Sequence, residues 1–264
     1  MKVAIYRVLI NDYDYLIEDP YIDKNYDYYL FTNLKLKKFK NYKKILLKKN
    51  KATPNLNNRK LKINIPEILY SYDIIIYLDN NIKICTPINK LITKFYLSKC
   101  EIGFCKHPYG HTLKEEINSC IKFGQANKEN LYSEINFYKK NNISPKDPLT
   151  DNSFLIRKTS SFLENNYSKE WFEYVEKFSG RDQISMPFIR SKYNLNEMLF
   201  NFSPRKYNPY FSTLPHKFKY EKIRKKNLFR HILSFTLKFI FMYFLFFKNK
   251  YLSKNNFLFK NDKK

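Results

Sequence analysis

The chain has 264 residues, with 49 Lys+Arg against 24 Asp+Glu for a formal net charge of +25, and it is 44% hydrophobic and 18% aromatic. That apolar content can order a chain of this length by burial, which excludes wholesale disorder and suits one sizeable core with an appendage. Its only glycines are Gly103, Gly110, Gly124 and Gly180, so neither a Gly-x-Gly-x-x-Gly dinucleotide turn nor a Walker A loop can be written, and there is no Gly-x-Ser-x-Gly elbow.

Residues 3–10 are apolar and β-branched and end at Asn11-Asp12, as a buried parallel strand does. Tyr28 to Phe31 and Lys44 to Leu47 read as the next two strands. Lys35 to Lys51 holds nine Lys and no acid, the pattern of a solvated face. From Asn57 to Tyr70 the period becomes helical through Leu61, Ile65, Ile68 and Leu69, with Pro66 as a break. A central strand, Ile74 to Leu78, then runs into Asp79. A short strand is expected over 102–105, helices over 113–123 and 131–140, and another strand over 153–157. Helices over 161–178 and 182–193 complete an alternating α/β domain placed at 1–218.

Residues 217–264 differ in kind, carrying 14 Lys+Arg and 2 Asp+Glu. Leu228 to Phe247 is almost wholly apolar, with Asn227, His231, Ser234 and Lys238 as one polar stripe between basic flanks. This pattern predicts a basic amphipathic tail, residues 219–264, lying in the headgroup region of an anionic membrane. A membrane span, or a helix packed on the core or on another subunit, is the alternative. Met1 to Tyr6 reads as a strand and not as a leader, and the four cysteines form no Cys-x-x-Cys pair. A cytoplasmic protein, peripheral on the inner face of the membrane, is therefore expected. Aromatic residues fall at periodic apolar positions and not on a basic groove-facing element, so no nucleic-acid partner is expected.

Asp79 stands at the carboxyl end of a hydrophobic central strand, the edge at which open α/β sheets bind ligands. A carboxylate there could hold a divalent cation against a diphosphate, or simply cap the next turn. Arg59 and Lys62, three residues apart, share a face of the preceding helix and could pair with a pyrophosphate. Cys100, Cys105, His107, His111 and Cys120 include zinc-ligand types, at a spacing that matches no familiar zinc site.

The ordered segments 6–14, 27–33, 59–66, 72–84, Lys106-His107-Pro108, Glu115-Glu116 and 181–185 resemble a family of glycosyltransferase-like domains first catalogued as a domain of unknown function. Its members occur in plant cell-wall proteins and bacterial polysaccharide loci and are distantly similar to glycogenin-type family 8 transferases. The resemblance implies a GT-A-like sheet domain, a nucleotide-sugar donor, expected to be a UDP-sugar, and Mn²⁺ or Mg²⁺ on an Asp-x-Asp pair. Here that pair is Asp79-Asn80-Asn81, so Asp79 and Asn81, with His216, are the metal ligands the resemblance offers. It assigns Asn11, Asp12, Tyr13, Arg59, Lys62, Asp79 and Asn81 to the donor. Asp182 and Gln183 would stand beside the transferred sugar, although Asp182 could also be a helix cap. His107 or Glu116 would serve as general base or acceptor ligand, and Asp151, Asn152, Ser153 and Arg157 would face the acceptor. The implied activity is hexose transfer to a glycan or lipid-linked acceptor, expected in bacterial surface polysaccharide synthesis. A non-catalytic scaffold is the alternative, because Asn81 stands where an acid is expected.

Overall fold

A computed structural model describes residues 1–216 and 221–258, except Asp12, Lys37, Lys38, residues 49–51, Pro145 and Asp147; in the last helix, side chains are described over 232–251. Strands β1 (Val3–Leu9), β2 (Asp27–Thr32), β3 (Lys43–Leu46) and β4 (Ile74–Leu78) lie side by side, all parallel. Helix α1 (Pro54–Ile63) makes the crossover into β4. Its start follows from sequence: Pro54 occupies the first turn, and the Thr53 hydroxyl accepts the Leu56 N–H at 3.3 Å. The helix stops before Pro66, and a 3₁₀ turn over Glu67–Leu69 completes the expected broken helix.

Beyond β4 the direction reverses. β7 (Thr150–Lys158) runs antiparallel to β4 and to β6 (Ile102–Lys106), and β8 (Glu197–Phe200) closes the edge parallel to β6, giving the order β3-β2-β1-β4-β7-β6-β8. The sheet is therefore mixed and mostly parallel. β1 and β4 are buried along their whole length, as their unbroken apolar runs require. Alternate residues divide between two cores: Ala4, Tyr6 and Val8 enter one, and Val3, Ile5 and Leu9 the other. Gly103 permits the close strand contact, since a Cβ there would lie 2.6 Å from a methyl of Ile156.

The first core is covered by α3 (Leu113–Lys122), α4 (Lys128–Lys140), α5 (Thr159–Glu164), α6 (Tyr167–Lys177) and α7 (Asp182–Tyr193), with Trp171 fully buried at its centre. α2 (Asn89–Leu97) covers the other face. The helix expected over 161–178 is two helices, interrupted at Asn165 and Asn166. α2, β8 and a small antiparallel pair, β5 (Ile82–Ile84) with β9 (Phe211–Thr213), have no counterpart in the sequence reading. The strands among them span only three or four residues, too short for a periodic signal.

Helix α8 (Glu221–Leu258) packs beside that small pair. Met242 and Leu245 bury against Cys85, with Ile17, Phe239 and Phe241 around them, and Tyr15 meets Phe235 at 4.6 Å. The opposite side exposes Leu233, Leu237, Ile240, Phe244, Phe247 and Tyr251. The helix is thus apolar on two sides, one packed and one outward; Lys238, expected in an outward polar stripe, is half-buried, and Asn227 and His231 lie outside the described side chains.

Between α4 and the α6–α7 connection, Glu134 is fully buried, accepting from the Tyr138 hydroxyl at 2.7 Å and the Ser179 N–H at 3.3 Å. Burial pushes its carboxyl from 4.5 up to about 7, against those hydrogen bonds. Because the folded state holds this proton more tightly, its contribution is full below pH 4.5 and is lost as pH rises through about 7. Melting temperature should therefore fall between pH 5 and pH 8, and Glu134→Gln should flatten that fall in a calorimetric pH series.

Candidate active site

The carboxyl ends of β1 and β4 open into a cavity of about 700 Å³ that also receives α1, the start of α7 and the loop before α3. Asp79, one residue past β4, is held from three sides. The Tyr77 hydroxyl donates to Oδ1 at 2.9 Å, Lys62 Nζ lies 3.7 Å from the same oxygen, and Arg205 Nη2 reaches Oδ2 at 3.0 Å. Asp182, opening α7, pairs with Arg59 Nε at 2.9 Å and with Lys62 Nζ at 2.7 Å. Lys62 is thus shared by both carboxylates and sits 5.2 Å from the Tyr77 ring centre. Arg59 and Lys62 are on one face of α1 because they are three residues apart, and that face turns into the cavity.

Burial alone would raise both acids. For Asp79 the charges of Lys62, Arg205 and Arg59 outweigh it, and for Asp182 those of Arg59 and Lys62 do, so both stay below the ordinary carboxylate range. Asp182 is further fixed through its backbone: its carbonyl accepts from Trp171 Nε1 and from the Asn152 amide, each at 3.2 Å.

Asn11, Tyr13, Gln183, His107, Glu116 and His216 also line the cavity. Asn11 takes a left-handed backbone (φ 57°) held by paired hydrogen bonds with Asn33, both 2.8 Å. Asp12 lies outside the described residues. The Tyr13 ring stands 5.0 Å from that of His216, and His216 Nδ1 is 2.6 Å from Asp14. Gln183 donates to the Thr150 carbonyl at 3.2 Å, and Arg181 spans Glu116 (3.2 Å) and Gln183 (3.4 Å).

Four expected site residues lie behind the cavity wall. Asn81 is 3% exposed, and its amide donates to the Leu214 carbonyl at 2.9 Å. A turn in which the Ile82 N–H returns to the Asp79 carbonyl (2.9 Å) ends the strand's alternation, so Asn81 leaves the side that Asp79 occupies. Asp151 is fully buried, accepting from Ser203 at 3.0 Å and from Arg205 Nε at 3.4 Å; it props the arginine that holds Asp79. Asn152 supports Asp182. Arg157, also fully buried, donates to the carbonyls of Lys62 and Ile63 and to the Tyr6 hydroxyl, closing the end of α1.

These positions decide how a Mn²⁺ or Mg²⁺ ion would fit. Asp79 has both oxygens engaged by cations or a hydroxyl, Asn81 is turned away, and His216 is bonded to Asp14, so the three ligands do not form a cation site as they stand. Asn81 Oδ1, Asn80 Oδ1 and Ser153 Oγ are all buried with no hydrogen-bond partner among the described residues, and of these Asn80 and Ser153 belong to the cavity lining. Ser153 was expected at the acceptor; Asn80 and Arg205 are contributions that the sequence reading missed, because they come from a turn and an irregular segment.

At the far wall, His107 Nε2 and His111 Nδ1 stand 3.7 and 3.1 Å from Glu116 Oε2. Their ligand-type atoms lie within 4.8 Å of one another, the one such group of three among the described residues. His107 Nδ1, however, accepts the His111 backbone N–H at 3.1 Å, so its ring proton sits on Nε2, where a metal would need a lone pair. The group is built as a hydrogen-bonded cluster.

The fold and site are those of a mixed α/β domain with a charged ligand cavity at its strand ends. Residues 47–216 match the TOD1/MUCI70, glycosyltransferase-like domain family, and the chain belongs to that family. Among solved structures it is similar to a WbbM bifunctional glycosyltransferase in its apo form (11% identity, TM-score 0.48, covering 75% of this chain and 38% of that one). It is also similar to the glycosyltransferase GlyE of Streptococcus pneumoniae TIGR4 (9% identity, TM-score 0.44, 75% and 45%). The chain spans less than half the length of either. No curated protein matches its sequence.

Sharing one ammonium between two buried carboxylates makes Lys62 a stability residue as well as a site residue. Lys62→Met should destabilise the fold by about 3 kcal/mol or more, since it strands buried charge. Urea denaturation of the single variant and of Lys62→Met with Asp182→Asn should show the second substitution recovering part of that loss.

Proposed function

We propose that this protein is a glycosyltransferase that moves a hexose from a nucleotide-sugar donor, a UDP-sugar, to a glycan or lipid-linked acceptor in bacterial surface polysaccharide synthesis. The observation that carries the reading is the charge cluster at the strand ends: Arg59, Lys62 and Arg205 gathered around Asp79 and Asp182 in one cavity. A departing diphosphate is stabilised by cations fixed in place before the reaction, in a site of restricted water. Arg59 and Arg205 supply guanidinium groups with the geometry to take phosphate oxygens, and Lys62 supplies a point charge. Asn11, Tyr13, Asn80 and Ser153 supply hydrogen-bonding groups and a ring for the nucleoside. Asp182 and Gln183 would accept from and donate to the sugar hydroxyls. Because Asp79, Asn81 and His216 do not form a cation site, this reading assigns charge neutralisation to the side chains and takes no step through a metal.

The tail fits an acceptor carried by an anionic membrane. Residues 232–251 are long and apolar enough to cross a bilayer, with 11% of the apolar window buried. Yet α8 is fastened to the domain over residues 235–245, at Phe235, Lys238, Phe241, Met242 and Leu245. A helix so fastened presents one long side to a surface, which favours lying in the interface over spanning. Lys248 and Lys250, with the basic residues of 217–226, suit anionic headgroups. Four free cysteines accord with a reducing compartment, the cytoplasmic face.

Thermal-shift titration with UDP-, GDP- and CMP-sugars, with and without Mn²⁺, tests the donor. A UDP-sugar should raise the melting temperature in EDTA, and Arg205→Ala should reduce that rise, measured from the variant's own unliganded melt. No stabilisation by any nucleotide sugar would favour a non-catalytic scaffold. For the tail, replacing Leu237, Ile240 and Phe244 together by Glu should abolish co-sedimentation with phosphatidylglycerol vesicles without lowering soluble yield; unchanged sedimentation would remove the membrane role.

A further inference from the structure

The cluster at the far wall of the cavity contains more chemistry than acceptor binding needs. Glu116, the fourth residue of α3, has a side chain 8% exposed and four neighbours of donor type: His111 Nδ1 at 3.1 Å, Arg181 Nη2 at 3.2 Å, His107 Nε2 at 3.7 Å and Cys120 Sγ at 3.8 Å. α3 is anchored by a capping box between Thr112 and Glu115, which fixes its first turn and so the place of Glu116. Burial alone would raise the Glu116 carboxyl, but the hydrogen bond from His111 and the charge of Arg181 hold it below the ordinary range. It is therefore an ionised, acceptor-only group.

The tautomers of both histidines follow from their partners. An ionised Glu116 obliges His111 to place its proton on Nδ1, which leaves the Nε2 lone pair of His111 free to take another. His107 is arranged in the opposite sense, since its Nδ1 accepts the His111 N–H and its proton sits on Nε2. His107 is a donor at this wall, and His111 is the base. The His111 side chain is 26% exposed and lines the cavity, so its outer nitrogen can be reached. Beside it Tyr109 is 70% exposed, its ring 5.4 Å from that of His111 and 4.7 Å from Lys206 Nζ, an open platform on which a sugar ring can rest.

We propose that His111 is the general base of an inverting transfer, oriented and polarised by Glu116, with Arg181 as the brace that ties this dyad to the donor end. The inference rests on the transferase reading. Arg181 connects the two ends covalently as well as by contact: it touches Glu116 and Gln183, and Asp182 is its neighbour in the chain. Asp182 is ill suited to be a nucleophile, because Arg59 and Lys62 hold its carboxylate and its side chain is 3% exposed. A single displacement needs no such nucleophile. An acceptor hydroxyl on the Tyr109 side loses its proton to His111 Nε2 as its oxygen attacks the anomeric carbon. The bond from that carbon to the diphosphate oxygen breaks, the electron pair leaves with the diphosphate, and the proton passes from His111 to water. Glu116 acts through His111 and is a positioning residue.

The test uses the full chain and the donor identified by thermal shift. His111→Ala and His111→Asn should lower kcat by about 100- to 10,000-fold while the donor-induced shift in melting temperature stays unchanged. Added imidazole should restore part of the His111→Ala activity, and less of it when Glu116→Gln is also present. NMR of the first product formed should show an anomeric configuration opposite to the donor's. Full activity in both His111 variants, or a retained configuration, would overturn the proposal. So would loss of wild-type activity in phenanthroline with recovery on adding zinc, since the cluster would then be a metal centre. If the wild-type chain binds no nucleotide sugar, the transferase reading falls and the dyad's role with it.

Discussion

Two carboxylates sharing one buried ammonium is the constraint around which the rest of this structure is arranged. Lys62 lies 2.7 Å from Asp182 and 3.7 Å from Asp79, with its side chain 3% exposed. A lysine so buried is tolerable only when its charge is met, and each carboxylate only when a cation meets it. Arg59 and Arg205 supply the remaining charge. The cluster therefore requires α1, the end of β4, the start of α7 and the 201–210 segment to arrive at one point, and a displacement of any of them leaves a charge uncompensated in a low dielectric.

Much of the buried polar structure elsewhere serves that convergence. Arg157 ties off the last carbonyls of α1, so the turn that carries Lys62 cannot fray. Trp171 and Asn152 both donate to the carbonyl of Asp182, and Asp151 props Arg205. Asp151 and Asn152 look like site residues in the sequence, being polar and at the right strand end. They act one layer behind it, exchanging exposure for rigidity, and a preorganised charge cluster needs such support because a site that must rearrange loses the electrostatic advantage of being fixed.

The helix α8 joins the same system through two loops that also rim the cavity. Tyr13 lines the cavity while Tyr15, two residues on, packs on Phe235; Arg205 holds Asp79 while Tyr207 stands 5.6 Å from Phe241. Whatever covers the outward stripe of α8 thus lies one loop away from the Asp79 end of the cavity. The helix's inward stripe is ordinary core packing, and its outward stripe leaves Leu233, Leu237, Ile240, Phe244, Phe247 and Tyr251 exposed in one row.

The sequence by itself determined the parallel half of the sheet, the crossover helix ended by Pro66, the place of Asp79, and the shared face of Arg59 and Lys62, because each depends on local period or spacing. It also located α7 to the residue, with Asp182 as its first position. Only tertiary structure decided the reversal at β7, since strand direction is set by which edge a returning chain meets and leaves no periodic trace. It decided as well that Asn81 faces Leu214 and not Asp79, because a single backbone hydrogen bond across the turn ends the alternation that would have put the two on one side. Arg205 was illegible for a related reason: it sits in an irregular segment, and nothing in its neighbours' identities says that the chain returns there to the end of β4. His111 was visible as one of several polar residues; its separation from His107 as base from donor rests on which nitrogen meets a backbone amide and which meets an ionised carboxylate, a fact of geometry that spacing does not contain.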